Sequence, residues 1–554
     1  MVAARRWWRR CRRIAGYGVL LLLIALALLV ALANQLLPAV EQHPAEVARW
    51  LSERVGQPVR FTAIDARWTR AGPRFALDGL VVGEGQRRLA VGRADLQVSV
   101  YSGLFPGRPL TELSVDGLSL TLHQDAEGRW RMSGLPEPAQ VGGDPLDALA
   151  GFGELRMQDA RLRVRAERWG LDHVMPRVDA RLRVSGERVR GGLRLWSTVG
   201  RAPLDLSADV ARDGRDGRLW VGAERVDLPA WTPVLAALGV EPLAGSGRLG
   251  AWADLTDRRI DRVRVQAALE GLRLRRVGTA LPPVAFDRAG FDAQWQLEAQ
   301  GWQVSVPHGR FDVAGKTQRI DDFWLAGGSR VAVEAARIDV APLLALGALS
   351  NRLPGALAAW VSEARPRGTV LALEVPAVEA SALAGSARLE GVAFDPVGRR
   401  PGLSGLAGAL RFDAEGGVLS LPGTPMALDW PAEFGAALQL TPRGDVALWR
   451  DGDGWGVGSP DLALSAPGLS LRARFGLGLQ GDGTRPTLDL AADLDDFDVL
   501  AARRYWRQTT MKPPVRRWLD DALLGGMARD GRVALGGDLD HWPFRDGGGA
   551  FDAR

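Results

Sequence analysis

The sequence is nearly without cysteine: Cys11 is the only one in 554 residues. No disulfide can form within the chain, so stability has to come from strand pairing and packing. Lysine is almost as scarce. Lys316 and Lys512 are the only two, and 68 of the 70 cations are arginine. Arginine keeps its proton, which lifts the isoelectric point to about 10 although the balance against 65 acidic residues is only +5. The two signs are interleaved, and the clustered basic stripe that phosphate contact needs is missing, which argues against a nucleic-acid partner. Five histidines, His43, His123, His173, His308 and His541, stand far apart with no second histidine at ligand spacing, so no zinc centre is expected.

Patterns for other chemistry are equally thin. Gly245-Ser246-Gly247-Arg248-Leu249-Gly250 matches the dinucleotide fingerprint, but that motif needs a strand before it and a helix after it. Here an apolar helical stretch precedes and a strand follows, so a turn is expected. Gly315-Lys316-Thr317 resembles the end of a phosphate loop, yet Gly309 stands one residue too far upstream and no helix pattern follows; the expectation is a hairpin. The carboxylates Asp321-Asp322, Asp495-Asp496-Asp498 and Asp520-Asp521 fall at element ends, where capping and solvation account for them. No G-x-S-x-G elbow occurs. No catalytic, cofactor-binding or metal residue is assigned, and the chain is not expected to be an enzyme. Twenty tryptophans are scattered singly, as core or rim residues are.

What the sequence does have begins at the amino terminus. Six arginines, Arg5 to Arg13, precede an uncharged apolar run from Ile14 to Ala33 that continues through Leu36 and Leu37. At about 1.5 Å per residue such a run crosses the roughly 30 Å hydrocarbon core of a bilayer. Ile14, Leu20, Ile24, Leu29 and Ala33 mark the expected anchor, with residues 1–13 as a cytoplasmic flank and 14–37 as the span. No cation follows until Arg49, so the positive-inside bias places the bulk outside the cytoplasm. Ala31-Leu32-Ala33 also resembles a signal-peptidase site; the apolar run exceeds the usual length of a signal peptide, which favours an uncleaved anchor.

Beyond the anchor, apolar and polar residues alternate. Leu469, Leu471, Ala473, Phe475, Leu477 and Leu479 fall on one face, Ser470, Arg472, Arg474 and Gln480 on the other. Residues 161–165, 181–184, 262–265, 272–275 and 488–490 read the same way. One apolar and one wetted face calls for antiparallel sheet. Turn signals at 213–217, 451–454 and 481–483 separate the runs. Two weak repeats recur. Leu77-Asp78-Gly79-Leu80, Val115-Asp116-Gly117-Leu118, Leu269-Glu270-Gly271-Leu272 and Leu389-Glu390-Gly391-Val392 predict a bend into an outward strand. Asp227, Asp339 and Asp498 predict N-caps of short helices, each followed by a glycine-led strand at Gly247, Gly368 or Gly531. Stacked units of this kind predict a mainly β, elongated sheet. A Pro- and Gly-rich stretch at 135–145 reads as a linker between an amino-terminal β unit (38–134) and the repeating region (146–554).

The chain resembles the YhdP family of AsmA-like envelope proteins. The likeness rests on the basic flank and apolar helix, then Val55-Gly56-Gln57-Pro58-Val59, Ala66-Arg67-Trp68, Gly72-Pro73-Arg74-Phe75 and the Leu77 and Val115 motifs with Gly128-Arg129-Trp130. It continues with Arg503-Arg504-Tyr505, Pro513, Trp518-Leu519, Leu523, Gly525-Gly526, Gly537-Asp538-Leu539 and Trp542-Pro543-Phe544. The resemblance implies a curled antiparallel sheet with a hydrophobic groove, held in the inner membrane, carrying phospholipid to the outer membrane and supporting its barrier. It also implies a longer protein, of which this would be the amino-terminal portion, the outer-membrane contact lying in the remainder. Exposing two sixteen-carbon tails to water costs on the order of 25 kcal/mol, and an apolar trough would remove most of that. Leu469, Leu471, Phe475, Leu477 and Leu479 are the expected lining. The alternative is a structural or regulatory scaffold whose apolar face packs on itself.

Overall fold

Strands with one apolar and one charged face can satisfy both only by pairing edge to edge, and a computed structural model places most of the chain in such pairs. It describes residues 17–554 except scattered positions before 40 and residues 56–57, 84–88, 100–110, 134–152, 351–352, 435, 481–483, 507–510 and 546. The expected linker at 135–145 and the turn at 481–483 lie outside the described residues. Contacts divide the chain into two units, Met1–Leu238 with Trp252–Arg259, and Gly239–Ala251 with Ile260–Arg554.

In the first unit, helix α1 (Pro44–Val55) precedes strands Ala63–Thr69, Gly72–Asp78, Arg93–Val98 and Thr111–Asp116, each antiparallel to the next. Strand Glu154–Ala166 then departs from the antiparallel expectation: it runs parallel to both Thr111–Asp116 and Ser119–Gln124. The connection leading into it is long enough for a parallel crossover, which a tight hairpin cannot make. From there Leu171–Ser185, Arg188–Trp196, Leu204–Ala211 and Gly217–Asp227 return to antiparallel order, followed by the short helix α2 (Thr232–Ala237).

In the second unit the strands named below pair antiparallel. Strands Arg259–Arg276, Val284–Glu298, Gly301–Val313, Lys316–Gly328 and Val331–Asp339 lead into helices α3 (Val340–Leu349) and α4 (Gly355–Ala364). The sheet resumes through Arg367–Val378, Gly385–Phe394 and Gly402–Phe412. Strands Leu438–Asp451, Gly454–Ala466, Leu469–Leu479 and Thr487–Leu494 follow, then helix α5 (Pro513–Ala522) and strands Gly531–Asp538 and Gly549–Ala553.

The repeats have a backbone cause. Gly79, Gly117, Gly271 and Gly391 all sit near φ +60 to +70, in the left-handed region. At Gly271 the ladder passes from Glu270↔Arg288 to Leu272↔Phe286 without a change of register, so the glycine bends its strand and adds no residue to it. Only one of the three expected caps forms. Asp498 accepts the amide hydrogen bond of Leu500 at 2.9 Å, whereas Asp227 is drawn to Arg201 at 3.0 Å. Asp339, buried, accepts instead from the Arg319 amide and the Thr369 hydroxyl, both at 2.7 Å. Gly247 does not open a strand; with the other five residues of the dinucleotide-like pattern it lies inside Val240–Thr256. Gly315 does turn a hairpin.

Burial is uneven within the second unit. Ala348 of α3 and Ala358 and Val361 of α4 form a buried cluster with Leu344, Leu353 and Trp360 against it. Past Ala393, among the described residues, the buried apolar side chains are only Pro442 and Ala473.

Candidate functional site: an unsealed apolar face and a cavity

Side chains that face each other across paired strands share one side of the sheet, so register alone decides which apolar residues touch. In the second unit Leu477 stands between Val457 and Leu488, and Val457 is in turn opposite Leu448. A neighbouring row runs Phe475, Leu490, Leu535, Phe551. None of these side chains is sealed. Leu469, Leu471, Phe475 and Leu477 are half-buried, Leu479 is 41% exposed, and Phe551 is 53% exposed. A contiguous open apolar surface of this kind is what ligand grooves and interaction sites have in common. A depression of about 510 Å³ lies on the other face of these four strands, where Arg474, Asp489, Ala491, Ala534, Ala550 and Asp552 face the same way in register.

The first unit repeats the arrangement. Phe75, Leu96, Leu113, Leu155 and Leu182 follow one another in register, and a second row runs Ala180, Leu193, Leu206, Val221. Leu193 is 40% exposed. Where the first of these rows begins, α1 lies over it and leaves a cavity of about 430 Å³, within the size range of ligand pockets. Val47, Trp50 and Leu51 of the helix face Ile64, Phe75, Leu77, Leu96 and Leu113 of the sheet, and the walls are almost wholly apolar. The helix is held in place at both ends. Ser52 Oγ accepts from the Val59 amide at 2.8 Å, and the Glu41 carboxylate accepts from the Ala66 amide at 2.8 Å.

The opposite face is charged. Arg163 pairs with Asp172 at 2.7 Å, Arg188 with Asp209 at 2.6 Å and Arg194 with Asp205 at 2.6 Å. These pairs are largely exposed, so each adds little stability. Hydrogen bonds from Arg163 and from Arg188 hold the Asp172 and Asp209 carboxyls below the usual range. One carboxylate, Glu154, is fully buried between Arg156 and Arg181.

The expected lining residues are therefore brought to one face of one strand. Of the expected anchor residues, Leu20 and Ile24 are helical and exposed, while Ile14, Leu29 and Ala33 lie outside the described residues. Among the described residues no helix is long and apolar enough to cross a membrane. The cavity under α1 went unread, although Val47, Trp50 and Leu51 stand at i, i+3 and i+4, the spacing of one helical face.

A sheet whose apolar side is left open along successive strands defines a class of protein that presents an apolar surface to a ligand or partner. The chain belongs to the YhdP family: the model of the YhdP protein family matches residues 1–554. It is similar to the intermembrane phospholipid transporter YhdP of Escherichia coli (strain K12), with 23% identity over 607 aligned positions. That alignment covers 98% of this chain and 44% of the relative, so the chain spans less than half the relative's length. No solved structure matches.

Proposed function

We propose that this chain carries phospholipid along the apolar face of its sheet, anchored in the inner membrane by residues 14–37 with its bulk in the periplasm. The conduit would run toward the outer membrane and so support that membrane's barrier. The observation that carries the reading is the open row from Leu448 through Val457 and Leu477 to Leu488. A soluble globule would cover such a row, since leaving apolar area in water forgoes about 25 cal/mol per Å². An acyl chain would cover it without directional contacts. That suits transfer, because no bond has to be broken at each step. The name of the Escherichia coli relative points the same way, and the cavity under α1 offers a first apolar enclosure beyond the expected anchor.

A non-transporting scaffold is the second reading, favoured locally by the buried cluster of Ala348, Ala358 and Val361. Native mass spectrometry of protein released in mild detergent separates the two. Transport predicts adducts at phospholipid mass. A spectrum holding only the bare polypeptide would leave the scaffold.

A further inference from the structure

A cavity of about 850 Å³ opens in the second unit where α3 and α4 lie over one edge of the sheet. Register assembles it from distant sequence: the end of strand Arg259–Arg276, the start of Val284–Glu298, the hairpin at 313–316, both helices and the Arg367 strand. Its inner wall is apolar. Phe286, Ala348, Leu349 and Val361 are buried there, and Phe286 is braced by Phe311 with ring centres 5.4 Å apart.

Its charged lining is mostly cationic. Arg276, Lys316, Arg365 and Arg367 face one carboxylate, Asp395. Asp395 is already engaged, accepting from Arg365 at 2.8 Å and from Arg367 at 2.9 Å, and the Arg367 bond holds its carboxyl below the usual range. Arg276 and Lys316 make no ion pair among the described residues, and Lys316 is one of only two lysines in the chain. It is presented by a two-residue turn in which Ala314 and Gly315 both have positive φ, so its backbone position is fixed.

Bare hydrocarbon would gain nothing from unpaired cations, and a free anion would gain nothing from the apolar wall. A molecule with both parts gains from each. We infer that this cavity is a holding site for one anionic phospholipid, with an acyl chain against Phe286, Leu344 and Ala348 and the phosphate at Arg276 and Lys316. The ligand class rests on the lipid-carrying reading above; the site itself does not require the open sheet face to be used.

The test uses the full chain in detergent, with a photo-crosslinking residue at Leu344 or, separately, at Leu477, and equimolar vesicles of phosphatidylglycerol and phosphatidylethanolamine. At Leu344, phosphatidylglycerol should dominate. The R276Q/K316Q double variant should lower that product about tenfold, the worth of one charge-assisted bond, and leave the Leu477 product unchanged. K316Q alone, at an exposed turn, serves if the double variant melts early. Equal capture of the two lipids at Leu344, or no loss in the variants, overturns the inference. So does competition by inorganic phosphate without lipid capture, which would mark a free-anion site. Capture at Leu344 without capture at Leu477 would sink the conduit and spare this site; capture at neither would refute the ligand class.

Discussion

Arg181 Nε lies 2.6 Å from Glu154 Oε1, across the pair of strands Glu154–Ala166 and Leu171–Ser185. Glu154 is 1% exposed and also accepts from Arg156 Nε at 2.9 Å. It sits at the point where its strand meets Thr111–Asp116 in parallel, and Arg156 also pairs with Glu112 there, so two carboxylates and two arginines meet at this junction.

Removing that carboxylate leaves two guanidiniums without their buried partner. Both are partly exposed and Arg156 keeps Glu112, so Glu154→Ala should cost the first unit about 1–3 kcal/mol, read by urea unfolding. Replacing Asp172, which is half exposed, should leave the same curve almost unmoved.

Acid should reproduce part of the Glu154 effect. Burial pushes this carboxyl up, but hydrogen bonds from Arg181 and Arg156 outweigh it and hold it below its ordinary value of 4.5. A depressed folded value means stability that is complete above the unfolded value and is lost as pH falls through the folded one. The melting temperature should therefore decline below about pH 4.5, and the decline should be shallower in Glu154→Gln. Identical pH profiles for the two proteins would contradict the assignment.

Filling the cavity under α1 should separate lipid binding from stability. Ala94 is buried on its wall, so Ala94→Phe adds volume where space exists. Lipid capture by a crosslinker at Leu51 should fall severalfold while the melting temperature holds or rises, since filled space loses no contacts. A lower melting temperature with undiminished capture would mean the cavity is not the binding space.

Gly247 tests how closely the strands approach. Its φ of +148 lies where side chains are disfavoured, and a Cβ there would overlap the carbonyl oxygen of Ala268. Gly247→Ala should cost about 2–3 kcal/mol, measured by thermal melting, whereas Gly476→Ala, with nothing nearby, should cost little.

Much of this fold is legible because the strand period of two survives any tertiary context. Residues 161–165, 181–184, 262–265 and 469–479 all lie in strands whose alternation assigns the faces. What escaped reading depends on partners distant in sequence. Asp227 and Asp339 have the sequence of caps, but Arg201 and the Arg337–Thr369 pair reach them first. The pattern around Gly247 looks like a turn because glycine serves close approach as readily as bending. The cavity joining Arg276, Lys316 and Asp395 exists only through register, which no local pattern encodes.

Hydrocarbon should lie on one side of this sheet and not the other. Photo-crosslinkers placed singly at Arg472, Ala473, Arg474, Phe475, Gly476 and Leu477, in protein within its native membranes, test it residue by residue. Phospholipid capture should alternate along the strand, present at Ala473, Phe475 and Leu477 and absent at Arg472, Arg474 and Gly476. Capture at every position, at none, or only on the arginine side would contradict the account.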